Sequence, residues 1–203
     1  MMKEYNINQT TLRILRLYTS DYKRSLHLRE IARAAKVDVK AIQLQLKKLE
    51  KINVLSSILK GRNKEYSLNL SNSITKYYMI LAETFASVNY LGRNFLIKKL
   101  VSETGNQMDG TIVLFGSFAK GEETEESDID IFVLTEKKLN RSAFIEAGNL
   151  IGREISVKST NKKRFLKGLD DGDPLIREVA SKHIVLRGID DFCNIMWRYY
   201  ARQ

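Results

Sequence analysis

The sequence predicts an α+β protein built in two parts, and three observations carry that reading. Residues 1–70 read as short helices followed by a two-stranded hairpin. A long helical stretch over 71–104 has near-heptad apolar spacing. From 105 to 203, apolar β-branched runs alternate with helical segments, a pattern that forms a mixed sheet with helices packed on it.

At 203 residues the chain is long enough for two small domains, and 43% hydrophobic residues can give each its own core. The single cysteine, Cys193, excludes an intrachain disulfide and suits a reducing, cytoplasmic compartment. The opening residues have no signal-peptide core, and no apolar run reaches membrane-span length, so no membrane partner is expected. The formal net charge is +10, and it is uneven: 15 of the 34 Lys+Arg lie in residues 1–70, against 6 of the 24 Asp+Glu. A compact basic segment attracts a phosphate backbone.

In the N-terminal part, residues 9–19 form an apolar helix with Leu12, Ile14, Leu15, Leu17 and Tyr18. Leu28, Ile31 and Ala35 share one face of a second short helix, a turn follows at Lys36 and Val37, and Asp38 is placed to cap a third. In that third helix Val39, Ile42, Leu46 and Leu49 share a face, with Lys40, Gln43 and Lys47 opposite. Leu44 lies on the same outward arc. This is helix-turn-helix spacing. Residues 55–59 and 65–70 read as strands around a turn at Gly61 that carries Lys60, Arg62 and Lys64.

The stretch 71–104 places Ile74, Tyr78, Leu81, Phe85, Val88 and Phe95 on one seam, fit for a connector helix that packs on both parts or on a second copy as a homodimer. Gly92 lies on that seam and is a place for the helix to break.

The C-terminal part is organised around residues 111–134. An apolar strand, Ile112 to Phe115, breaks at Gly116-Ser117. An acidic loop then leads to Ser127-Asp128-Ile129-Asp130, which opens a second apolar strand. Alternation sends Asp128 and Asp130 to one face and Ile129, Ile131 and Val133 to the other. Two carboxylates on one face make half of a metal site. Residues 141–153 read as a helix, 154–157 as a third strand and 161–169 as a helix; Asp173-Pro174 starts another helix, 183–186 form a last strand and 189–200 a last helix. His27 and His183 lack metal-ligand companions, and Cys193 sits in an apolar helix as a buried thiol.

The compound pattern Gly116, Ser117, Ala119, Gly121, Ser127, Asp128 and Asp130 resembles the signature of the nucleotidyltransferase superfamily related to DNA polymerase beta, most closely its minimal nucleotidyltransferase branch. The helix-turn-helix with its basic hairpin resembles a winged helix-turn-helix domain, and the order of the two parts is similar to that of archaeal proteins of this architecture. The resemblance implies a winged-helix domain over 1–70, a connector over 71–104 and a minimal nucleotidyltransferase domain over 105–203.

It further implies Mg²⁺ or Mn²⁺ held by Asp128, Asp130 and a third carboxylate, for which Glu154 is the candidate on the third strand. Gly116, Ser117, Lys120 and Ser127 would bind a nucleoside triphosphate, with ATP expected. Lys40, Gln43 and Lys47 would face bases or phosphates of DNA, and Lys60, Arg62 and Lys64 would sit on phosphates. The implied activity is transfer of a nucleoside monophosphate to an acceptor, with a partner protein as acceptor in antitoxin-type relatives. The alternative is a DNA-binding transcriptional regulator whose nucleotidyltransferase-like domain senses nucleotide or is inactive. A small-molecule transferase would leave the basic hairpin domain unexplained.

Overall fold

The computed structural model describes residues 7–104 and 109–202. The chain divides into two compact units, one of Met1–Phe85 with Met196–Gln203 and the other of Ala86–Ile195. Among the described residues no helix is long and apolar enough to cross a membrane.

The first unit contains α1 (Gln9–Arg16), β1 (Leu26–His27), α2 (Leu28–Ala35), α3 (Val39–Lys51), β2 (Leu55–Lys60) and β3 (Asn63–Leu68). Asn8 caps α1 by accepting from the Thr11 N–H at 3.0 Å, and Asp38 caps α3 by accepting from Lys40 N–H at 2.9 Å. Lys36 stops α2 in the left-handed region at φ 53°, which makes the turn between α2 and α3. Ile14, Leu15, Ile31, Ile42 and Leu46 are buried on the inner faces of the three helices. Val39, expected on that inner face, is exposed at the first residue of α3, and Gln45 is buried, where its side-chain oxygen accepts from the Thr11 hydroxyl at 3.3 Å. The hairpin β2–β3 turns through Gly61 and Arg62, with Gly61 at φ 60° and Lys60 opposite Asn63. A two-residue strand unforeseen from sequence, β1, adds to β3, giving the order β1-β3-β2. The Tyr18 hydroxyl ties α1 to this sheet by donating to the Tyr66 carbonyl at 2.9 Å.

The stretch 71–104 is two helices, α4 (Ser73–Leu91) and α5 (Phe95–Thr104). The break falls at Gly92, and Asn94 starts α5 by accepting from the Ile97 N–H at 3.0 Å. Tyr78 is buried, but Leu81, Val88 and Phe95 of the expected seam are 39%, 64% and 79% exposed. Met79, Ala82 and Ala86 take buried positions of α4 beside Tyr78, so the buried face is turned away from the expected seam. The end of the chain also joins the first unit, where Tyr22 stacks on Tyr200 at a ring separation of 5.1 Å.

The second unit is a four-stranded mixed sheet of order β6-β5-β4-β7, formed by β4 (Thr111–Phe115), β5 (Ile129–Leu134), β6 (Ile155–Thr160) and β7 (Ile184–Arg187). Strand β5 runs antiparallel to β4 and parallel to β6, and β7 is antiparallel to β4. On one face, Ile129, Ile131 and Val133 pack with Ile97 and Leu100 of α5 and with Phe144 of α7 (Arg141–Ile151). On the other, Phe132 meets Phe115 and Phe165 with ring centroids at 6.3 and 5.8 Å. Phe165 belongs to α8 (Lys162–Asp171), which is followed by α9 (Pro174–Ser181). Asp173 caps α9 by accepting from the Ile176 N–H at 3.0 Å, with Pro174 at the first helical position. The short α6 (Gly116–Lys120) follows β4 directly, and α10 (Ile189–Ala201) ends the chain. Cys193 is buried.

Phe132 fills the space between two other rings and is 2% exposed. Its replacement by Ala should lower the unfolding free energy by about 3–5 kcal/mol, measurable by urea denaturation followed by near-ultraviolet circular dichroism.

Candidate active site

The acid face of the second unit is assembled by one strand register. Phe115, the last residue of β4, is paired with Asp130 of β5, so the turn into α6 begins directly beside the Asp130 side chain. Gly116 makes that turn at φ 68°. A Cβ at Gly116 would lie 3.0 Å from the Asp130 Cγ and overlap its carboxylate oxygen. Only glycine satisfies both the backbone angle and the contact. Ser117 is half-buried in the first turn of α6, and Gly121 closes that helix at φ 72°.

The loop between α6 and β5 is folded on itself. The Ser127 hydroxyl accepts from the Thr124 N–H at 2.8 Å and lies 3.1 Å from the Thr124 hydroxyl. Ser127 thereby shapes the approach to Asp128, while Glu122, Glu123, Glu125 and Glu126 remain exposed.

Asp128 is exposed just before β5, whereas Asp130 is half-buried within it. Burial pushes the Asp130 carboxyl above its ordinary value, and the charge of Asp128 adds to the effect; a hydrogen bond from Ser156 opposes it. Glu178 of α9 also raises it, and Lys120 lowers it. These last two side chains are themselves paired, the Lys120 ammonium donating to Glu178 at 2.5 Å. That bond holds the lysine above its ordinary value. The sequence reading aimed Lys120 at phosphate; the structure places it on Glu178, within electrostatic reach of Asp130.

The residue paired with Asp130 across the parallel ladder is Ser156, not an acid. Glu154, the expected third carboxylate, is exposed and precedes β6, where its backbone carbonyl accepts from the Ile129 N–H at 2.9 Å. Among the described residues no group of three His, Cys, Asp or Glu is placed to hold a metal ion. Mg²⁺ commonly takes one or two carboxylates and fills its remaining positions with phosphate oxygens and water. Asp128 and Asp130 fit that requirement.

Ser156 and Glu178 are the two members of this neighbourhood that sequence reasoning missed. Alternation along β6 could have offered Ser156, two residues beyond Glu154, had the register with β5 been known. No local pattern marks Glu178, which a helix nearly 50 residues downstream delivers to the site.

The second set of expected contacts lies in the first unit. Lys40, Gln43 and Lys47 are exposed on α3, as is Leu44. Lys60 is paired with Glu65 at 2.8 Å and Lys64 with Glu50 at 2.7 Å, so both hairpin lysines are matched internally. A cavity of about 790 Å³ between α2 and the hairpin has Arg29, Arg33, Gln43, Arg62 and Lys64 among its lining residues, together with one acid, Glu30. Among the described residues Arg29, Arg33 and Arg62 take part in no ion pair.

Because the Asp130 carboxyl is raised in the folded protein, the native state holds its proton at pH values where the unfolded chain has released it. Its contribution to stability is therefore present below the ordinary Asp range and is lost as pH rises through the raised value. Asp130→Asn should melt higher than wild type at pH 7 in metal-free buffer, with the difference closing below pH ~4. Equal pH profiles for the two proteins would show that the site imposes no such penalty.

Residues 96–187 match the family model described as a nucleotidyltransferase domain. No curated protein matches the chain significantly. A solved crystal structure of a toxin-antitoxin with AMP-PNP is similar at 18% identity, over 52% of this chain and 86% of that one, with a TM-score of 0.34. The family match covers α5, the whole sheet and the acid face, and supports a transferase role on a nucleotide substrate in general terms.

Proposed function

We propose that the second unit transfers a nucleoside monophosphate, AMP from ATP, to an acceptor hydroxyl with a divalent cation such as Mg²⁺. The observation that carries this reading is the glycine turn seated against Asp130, with Asp128 exposed two residues away, just before the same strand. In the reaction an acceptor oxygen forms a bond to the α-phosphorus, the bond to the pyrophosphate oxygen breaks, and the acceptor proton passes to solvent or a nearby base.

Asp128 and Asp130 would hold the cation, which supplies neutralisation of the phosphoryl charge and a template for the attacking and leaving oxygens. Gly116 removes side-chain bulk where phosphates would approach, and Ser117 presents a hydroxyl there. Lys120 adds a point charge whose present partner is Glu178. Incubation with α-labelled ATP, Mg²⁺ and lysate should label an acceptor, and Asp128→Asn or Asp130→Asn should cut the rate by about 100-fold or more. Absence of labelling, or labelling indifferent to both substitutions, overturns the reading.

The basic cleft supports a second property, binding of duplex DNA by the first unit as a winged helix. Three guanidinium groups that are in no ion pair among the described residues line one cavity beside the exposed face of α3, which carries Lys40, Gln43 and Lys47. Replacing Arg29, Arg33 and Arg62 by Ala should weaken binding to mixed-sequence duplex and reduce its salt slope by about one per lost phosphate contact. Lys60→Ala, which removes a lysine already paired, should change the slope much less. An unchanged slope in the triple variant, by fluorescence anisotropy across salt concentrations, removes the cleft from the interface.

A further inference from the structure

We propose that the acid face binds a single divalent cation together with the nucleotide, because Ser156 stands where a third carboxylate would have to stand to bring in a second. The inference rests on the nucleotide reading above and concerns the capacity of the site. In the parallel ladder Asp130 is in register with Ser156, so these two side chains are nearest neighbours on one face of the sheet. Ser156 brings a neutral hydroxyl, which favours the ionised form of Asp130 and adds no charge.

Two other acids could raise the ligand count, and the structure disposes of each. Glu154 is exposed beyond the start of β6 and forms no three-residue cluster with the aspartates among the described residues. Glu178 reaches Asp130 electrostatically but is paired with Lys120 at 2.5 Å. What remains is one pair of carboxylates, whose two negative charges match one divalent ion. Two-ion sites hold their ions about 3.5–4 Å apart, and here a second ion would have phosphate oxygens but no carboxylate beyond the pair that holds the first.

Mn²⁺ reports the number directly. Equilibrium dialysis of the full chain against Mn²⁺ and a non-hydrolysable ATP analogue, corrected with a nucleotide-only control, should give one protein-bound ion per bound nucleotide. Glu154→Gln should keep that ratio at one. Ser156→Asp should raise it to two, since a third carboxylate then faces Asp130 across the ladder. Two ions in the wild-type protein, falling to one in Glu154→Gln, overturn the inference while leaving the nucleotide reading in place. Failure of the wild-type protein to retain either nucleotide or Mn²⁺ overturns the nucleotide reading and this inference with it. Because the wild-type ratio and the Glu154→Gln ratio decide the matter, the test holds even if Ser156→Asp fails to fold.

Discussion

The second unit depends on one close contact, the backbone of Gly116 against the carboxylate of Asp130. The contact exists because Phe115 and Asp130 are partners in an antiparallel ladder. A slip of one residue would send Asp130 into the face occupied by Ile129, Ile131 and Val133 and bring isoleucine to the turn. The buried aliphatic side chains thus set the register, and the register sets the acid face. The same packing that stabilises the sheet holds a half-buried carboxylate beside a second acid, an arrangement with an electrostatic cost that core burial must offset.

How much of this was legible in the sequence follows from range. Strands β4 and β5, the glycine turn and the division of Asp128 and Asp130 from their isoleucine neighbours all arise within 24 residues, where period and turn chemistry dominate. The Asp38 and Asp173 caps were legible for the same reason: a side-chain oxygen reaches N–H groups two or three residues ahead. Strand β1 has only two residues and no period to detect. The pairing of β6 with β5 joins segments separated by a whole helix, so sequence offered Glu154 while geometry placed Ser156 beside Asp130. The last turns of α10 have an apolar face that would suit either core, and only tertiary packing assigns Tyr200 to Tyr22.

Charge shows the same limit more sharply. Counting lysines and arginines locates the basic excess in the first 70 residues without showing which cations are available to a ligand. Across the hairpin and back to α3, Glu65 and Glu50 take up Lys60 and Lys64, the two lysines at the tip that composition would have put on phosphates. Among the described residues, Arg29 and Arg33 of α2 and Arg62 of the turn take part in no ion pair, and the three converge on one cleft. Arginine's planar fork also suits phosphate better than a lysine already bonded to carboxylate.

Lys120 and Glu178 carry that logic to the acid face. The pair is internally neutral, and Lys120 offsets part of the repulsion felt by Asp130. An ammonium carries three donors, so on the proposed nucleotide reading Lys120 meets a phosphate oxygen while it keeps Glu178. Glu178 then stays neutralised, and Asp128 and Asp130 remain the two carboxylates open to a cation. One ion pair between α6 and α9 thus bears on the ligand count of the proposed site without a change of fold.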